Sequence, residues 1–201
     1  MVVGLTGGVA SGKTTVSEIL QEEGAYLIDA DMIARQLVEP HSATWYEIRK
    51  AFGDDILDEN GSLRRKKLAA RVFSDPDERK ILNQILHPQI RREIQNRLKE
   101  IAEKDPRAIV IVDAALLVET GDYREMDKVI VIASSPQEQI ERLKQRDGME
   151  EEQARNVLAS QMPLEEKRKV ADFIICNEGS LEETRKRTRE VFRELKKIAP
   201  C

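Results

Sequence analysis

The segment Gly7-Gly8-Val9-Ala10-Ser11-Gly12-Lys13-Thr14 matches the pattern G-x-x-x-x-G-K-[ST] at every defined position. Residues of these types at this spacing bind phosphate. Glycines let the backbone turn tightly and approach an anion, so successive N–H groups and the positive end of a following helix converge on phosphate oxygens. Lys13 supplies a positive charge for the β- and γ-phosphates of a nucleotide, and Thr14 offers a hydroxyl to Mg²⁺. The pattern has this meaning only between a strand and a helix. An apolar run at residues 2–6 precedes it and a helical pattern at residues 15–22 follows.

A phosphate cradle implies a nucleotide but not what is done with it. Open α/β sheets place ligands at the carboxyl ends of their strands, so the residues there come next. The apolar run at 25–28 leads into Asp29-Ala30-Asp31. A carboxylate here is suited to accept a proton from an alcohol attacking a phosphoryl group, and Asp31 is the candidate; the alternative is a cap on the next helix. Asp113 ends the run at 108–112 in the manner of an acid that holds Mg²⁺, or else caps the following turn. Arg142 and Arg146 are four residues apart on one helix face, which suits contact with nucleotide or a solvated, salt-bridged surface.

The two histidines, His41 and His87, match no zinc spacing, and the run Arg64-Arg65-Lys66-Lys67 reads as a solvated helix face.

Five short apolar runs, at residues 2–6, 25–28, 108–112, 128–133 and 172–176, must position these groups. They are mostly continuous, as in strands buried on both faces, and charged segments with helical apolar spacing lie between them. This order predicts a doubly wound α/β core with a parallel sheet. The gap from Asp29 to Arg107 is too long for one crossover and predicts an inserted helical unit. Within it, Ser74-Asp75-Pro76 starts a helix whose apolar stripe runs from Ile81 to Ile101, with Pro88 expected to interrupt and kink it near His87. Ser135-Pro136-Gln137-Glu138 is a capping box, Asp147-Gly148 a break, and the charged stretch 149–169 a candidate mobile lid; residues 181–198 form a closing amphipathic helix.

Composition excludes several classes. With 201 residues the chain fits one domain carrying insertions or two small units, large enough to bury a core without disulfides or a structural metal. A net charge of −4 gives no global positive field for nucleic acid, and 4% aromatic residues leave few stacking platforms. No basic n-region precedes the first apolar run and no long uncharged stretch occurs, so neither secretion nor a membrane is expected. Cys176 and Cys201 form no framework of spacings; both thiols are expected to be free, in a reducing, cytoplasmic setting.

The ordered set of Gly4-Leu5-Thr6-Gly7-Gly8, Ile28-Asp29-Ala30-Asp31 with Ala34-Arg35, Leu86-His87-Pro88, Leu116-Leu117-Val118-Glu119, Gln145-Arg146-Asp147, Gln161-Met162-Pro163 and Ala171-Asp172-Phe173-Ile174-Ile175 resembles the dephospho-CoA kinases over nearly the whole chain. These enzymes phosphorylate the 3′-hydroxyl of the ribose in dephospho-CoA. The resemblance implies a P-loop kinase core, a five-stranded parallel sheet flanked by helices, at residues 1–30, 107–146 and 170–201. It also implies a helical acceptor-binding insertion at 31–106 and a helical lid at 147–169 that closes on ATP. By the same resemblance ATP phosphates bind at Ala10, Ser11, Gly12, Lys13, Thr14 and Thr15, and the lid follows Arg146. Asp31 is then the catalytic base, and Arg35 and His87 bind the acceptor. Where the family often has Pro before the Leu-Leu pair, this chain has Ala115.

Three other classes share some of these features. A nucleoside or nucleoside monophosphate kinase would differ only in its acceptor pocket. A GTPase switch would need an N-K-x-D segment, which is absent from the sequence. A regulatory ATP-binding module would need Lys13 but not Asp31.

Overall fold

The computed structural model describes residues 1–199. Strands β1 (Val2–Gly7), β2 (Tyr26–Asp29), β3 (Val110–Asp113), β4 (Lys128–Ala133) and β5 (Phe173–Cys176) form one sheet in the order β2-β3-β1-β4-β5, every neighbouring pair parallel. The continuous apolar runs become strands because both faces are covered. In β4, Ile130 and Ile132 join a core with Val16 and Leu20 of α1 (Lys13–Glu22) and Phe192 and Leu195 of α9 (Leu181–Ile198). Val129 and Val131 point the other way, against Leu117 and Met126. At the sheet edges Tyr26, Ile174 and Cys176 are exposed, so an apolar run marks a strand without telling whether it is central. Cys176 is a free thiol, and Cys201 lies outside the described residues.

The chain divides into two compact units, Met1–Asp29 with the chain from Ile101 onward, and Ala30–Glu100. The second boundary falls inside one helix, α5 (Pro76–Lys104). In the second unit α2 (Ala30–Leu37), α3 (Ala43–Phe52), α4 (Arg65–Ser74) and most of α5 surround a core of Ile48, Phe52, Ile56 and Leu68. Ser42 caps α3 by accepting from Trp45 N–H (3.1 Å), and the buried indole donates to the Gly61 carbonyl (2.9 Å). The His41 ring packs against that of Trp45, centroids 5.4 Å apart and tilted by 51°, a packing role. Residues 64–67 are exposed, with Lys67 paired to Asp55 at 2.8 Å.

Asp75 starts α5, its Oδ1 accepting from the N–H groups of Asp77 (2.8 Å) and Glu78 (3.2 Å). The interruption expected at Pro88 does not occur: α5 runs through it. One proline removes a single i→i−4 bond, and the turns on either side carry the helix on. The expected stripe is also shallow. No α5 residue is fully buried; Leu82, Ile85 and Leu86 pack partly against the core, while Ile81 is exposed.

In the first unit α6 (Pro136–Asp147) is capped by Ser135, which accepts from Glu138 N–H (3.3 Å). Only this half of the expected capping box forms, because the Glu138 carboxylate turns to the N–H of Gly179 (3.5 Å). Residues 147–169 hold α7 (Glu151–Ala159) and α8 (Leu164–Arg168). Ala154 of α7 is buried beside Ile140 and Leu143 of α6, with Val9 and Ala10 packed against the same cluster. No helix among the described residues is long and apolar enough to cross a membrane.

The core assignment predicts that Phe192→Ala lowers the unfolding free energy by about 3–5 kcal/mol in urea titrations. Phe73→Ala, at a site 75% exposed, should change it by no more than about 0.5 kcal/mol. Equal effects would contradict the assignment.

Candidate active site

The loop between β1 and α1 turns at residues 8–12. Ser11 N–H donates to the Gly8 carbonyl (3.2 Å), and Val16 N–H donates to that of Gly12 (3.2 Å). Ala10 (φ 54°) and Gly12 (φ 88°) are left-handed, a conformation that costs Ala10 strain and suits Gly12. Gly7 is required by crowding: a Cβ there would lie 2.5 Å from Ser11 Oγ and 3.1 Å from the Ile132 carbonyl.

The loop is anchored through its carbonyls. Lys167 Nζ donates to Gly7 O (3.4 Å), Gln139 Nε2 to Val9 O (2.7 Å), Arg142 Nη1 to Ala10 O (3.2 Å) and Asn177 Nδ2 to Ser11 O (2.7 Å). With the two backbone bonds above, each carbonyl from Gly7 to Gly12 accepts a hydrogen bond. No cis peptide occurs among the described residues, so an anchored carbonyl aims the next N–H the opposite way. The anchors are themselves held. Thr184 Oγ1 donates to Asn177 Oδ1 (2.6 Å), and Arg142 Nη2 donates to the Asn177 carbonyl (2.8 Å). Val9 N–H is taken by Gln161 Oε1 (2.8 Å).

At the start of α1 the Lys13 ammonium pairs with the buried carboxylate of Asp113, each offsetting the desolvation of the other. Asp113 ends β3 in register with Leu5 of β1 and with Asp29 at the end of β2. Thr14 is exposed and Thr15 half-buried. The oxygen donors of Thr14 and Asp113 fit Mg²⁺, which takes one or two protein ligands and completes its shell with phosphate and water. No group of three His, Cys, Asp or Glu residues placed to hold a metal occurs among the described residues.

The first unit thus brings together Ala10, Ser11, Gly12, Lys13, Thr14, Thr15, Asp113 and Arg142. Arg142 acts on the loop through its carbonyls. Arg146 is mostly exposed and paired with Asp147 (2.7 Å), and its hydrogen bonds hold that carboxyl below the usual carboxylate range. Asp31, Arg35 and His87 belong to the second unit. Asp31 is the second residue of α2 and exposed, with Arg35 one turn on; His87 is half-buried on α5, in a shallow depression that Arg79, Lys80 and Arg91 also line. Sequence reasoning missed Gln139, Lys167 and Asn177, and gave Gln161 no role beyond its place in the resemblance. Asn177 directly follows β5, so the strand-end rule that selected Asp113 also selects it. Nothing in residue type or spacing marks Gln139 or Lys167.

The model of the dephospho-CoA kinase family matches residues 1–183. The chain belongs to this family. Among curated relatives, the dephospho-CoA kinase of Syntrophotalea carbinolica is 43% identical, over 92% of this chain and 87% of its own length. A dephospho-CoA kinase domain-containing protein of Danio rerio is 42% identical, over 100% of this chain and 86% of its own. Among solved structures, the dephospho-CoA kinase of Campylobacter jejuni superposes with a TM-score of 0.72 at 32% identity, covering 98% of this chain and 97% of the other. The shikimate kinase of Bacteroides thetaiotaomicron, at 17% identity and TM-score 0.52 over 96% of this chain and 98% of its own, shares the fold.

The anchored loop predicts the effect of Gly12→Ala. The new methyl would stand 1.8 Å from Asn177 Nδ2 on a backbone of φ 88°. Strain of roughly 1–3 kcal/mol, relieved only by displacing the loop, should weaken ATP binding at least about tenfold in calorimetric titration. Unchanged affinity would contradict this geometry.

Proposed function

We propose that this protein transfers the γ-phosphoryl group of ATP to the 3′-hydroxyl of the ribose of dephospho-CoA, giving ADP and coenzyme A. The family match over residues 1–183 carries this reading, and the anchored phosphate loop supports it. Within the segment 10–15, the amides of residues 10 and 12–15 take the ATP phosphates, with Lys13 balancing charge on the group in transfer. Asp31 accepts the ribose hydroxyl proton as that oxygen bonds to the γ-phosphorus. The bond from phosphorus to the β–γ bridging oxygen breaks, and its electron pair leaves with ADP. Thr14 and Asp113 would hold Mg²⁺, which when bound draws charge from the β- and γ-phosphate oxygens.

Arg35 and His87 bind the acceptor. Within the segment 147–169, the part ahead of Gln161 acts as a lid, bringing Arg146 to the nucleotide, while Gln161 and Lys167 stay on the phosphate loop and Arg142 keeps it in shape. The scarcity of cysteine and the anionic metabolite substrates suit the cytoplasm.

The deciding experiment is ADP release with Mg²⁺-ATP and a panel of acceptors. Dephospho-CoA should stimulate release far above AMP, CMP or adenosine, and comparable stimulation by a nucleoside monophosphate would overturn the acceptor. In the same assay Asp31→Asn should lower kcat by about 10²–10⁴-fold with little change in ATP affinity, since a positioned carboxylate typically contributes that much. Wild-type kcat at saturating dephospho-CoA would remove Asp31 as the base.

A further inference from the structure

Lys167 is among the largest fully buried side chains, with 1% of its surface exposed, and the phosphoryl-transfer scheme above gives it no role. Burying an ammonium is costly unless charge and hydrogen bonds compensate it. Here Glu119 Oε1 lies 2.8 Å from Nζ, and both Glu119 carboxylate oxygens are themselves buried. Lys167 donates to the carbonyls of Ala115 (3.1 Å) and Gly7 (3.4 Å). Thr6 Oγ1 donates to the same Ala115 carbonyl (3.1 Å).

These contacts bridge two segments of the site from a single side chain. Gly7 begins the phosphate loop, and Ala115 lies two residues beyond Asp113, the partner of Lys13. We propose that Lys167, with Glu119 as its counter-ion, is a positioning residue for phosphoryl transfer. It fixes the start of the phosphate loop relative to the segment bearing Asp113, and so sets where Lys13 and the loop amides meet the ATP phosphates. Because Glu119 neutralises it at short range, its contribution is geometric and adds little field at the phosphates. A displacement of about 1 Å among reacting groups costs on the order of 10²-fold in rate, so a single misplaced tether is enough to matter.

The proposal rests on the reading of the chain as an ATP-dependent kinase, which wild-type turnover tests separately. Steady-state kinetics would be measured for Lys167→Met, Lys167→Arg and the double variant Glu119→Gln/Lys167→Met, per folded molecule as fixed by circular dichroism and thermal melts. The double variant leaves no buried charge unpaired, so it keeps the test open if Lys167→Met fails to fold.

In the folded variants lacking the lysine, kcat/KM for ATP should fall roughly 10–100-fold, with KM for dephospho-CoA within about twofold of wild type. Lys167→Arg, which keeps charge and donors, should recover part of the loss. A lysine that only stabilises the fold would lower the melting temperature and leave both kinetic constants per folded molecule unchanged. That result in the double variant overturns the proposal, as does an unchanged kcat/KM for ATP beside a KM for dephospho-CoA raised well beyond twofold.

Discussion

A trans peptide holds each N–H antiparallel to the preceding carbonyl, so a carbonyl that is anchored aims the next amide away from the anchor. In this protein six consecutive carbonyls, Gly7 to Gly12, are anchored. The phosphate-binding geometry follows from that constraint more than from the glycines alone. Glycine permits the turn at residue 12, and the ring of donors behind the loop selects one conformation among those glycine allows. Preorganised donors of this kind need no rearrangement when charge develops in a transition state, which makes them effective in phosphoryl transfer.

The donors come from separate parts of the first unit. Gln139 and Arg142 lie on α6, Lys167 on α8, and Asn177 directly after β5. Gln139, Arg142 and Asn177 converge because β1 runs parallel to β4, β4 runs parallel to β5, and the segments that follow these strands therefore leave from one end of the sheet, whereas Lys167 reaches the loop from α8, ahead of β5. The residues that hold the loop are thus delivered by the same topology that builds the core, in which β1 and β4 contribute Val3, Leu5, Ile130 and Ile132. Placing Asp113 on β3, next to β1, brings its carboxylate to Lys13 by the same logic.

Much of this is legible in the amino-acid sequence. The run at 128–133 and the helix at 181–198 coincide with β4 and α9, since continuous apolar residues and strong helical periodicity leave little choice. Lys13, Thr14 and Asp113 stand out because their types sit in a motif or at a strand end. Three things are not legible there. The path of α5 through Pro88 depends on flanking hydrogen bonds that a one-residue rule does not weigh. Glu138 completes a capping box in sequence but is drawn to Gly179 by a contact 41 residues away. Lys167 looks like any surface lysine among Glu165, Glu166, Arg168 and Lys169, and only packing reveals it as the buried one. Residues that act on backbone carbonyls leave no mark of type or spacing, so a sequence yields the groups that meet substrate more readily than those that hold them.

The most direct test of the anchored loop is amide chemical-shift mapping of ¹⁵N-labelled protein titrated with a non-hydrolysable ATP analogue. If the carbonyl anchors aim the amides at phosphate, the largest downfield shifts fall on residues 10 and 12–15. The side-chain amide resonances of Gln139 and Asn177, already committed to the loop carbonyls, should move little. Saturable binding in which the amides of residues 10 and 12–15 stay in place, while those glutamine and asparagine side chains shift strongly, would mean that the loop is rebuilt on binding and is not held ready beforehand.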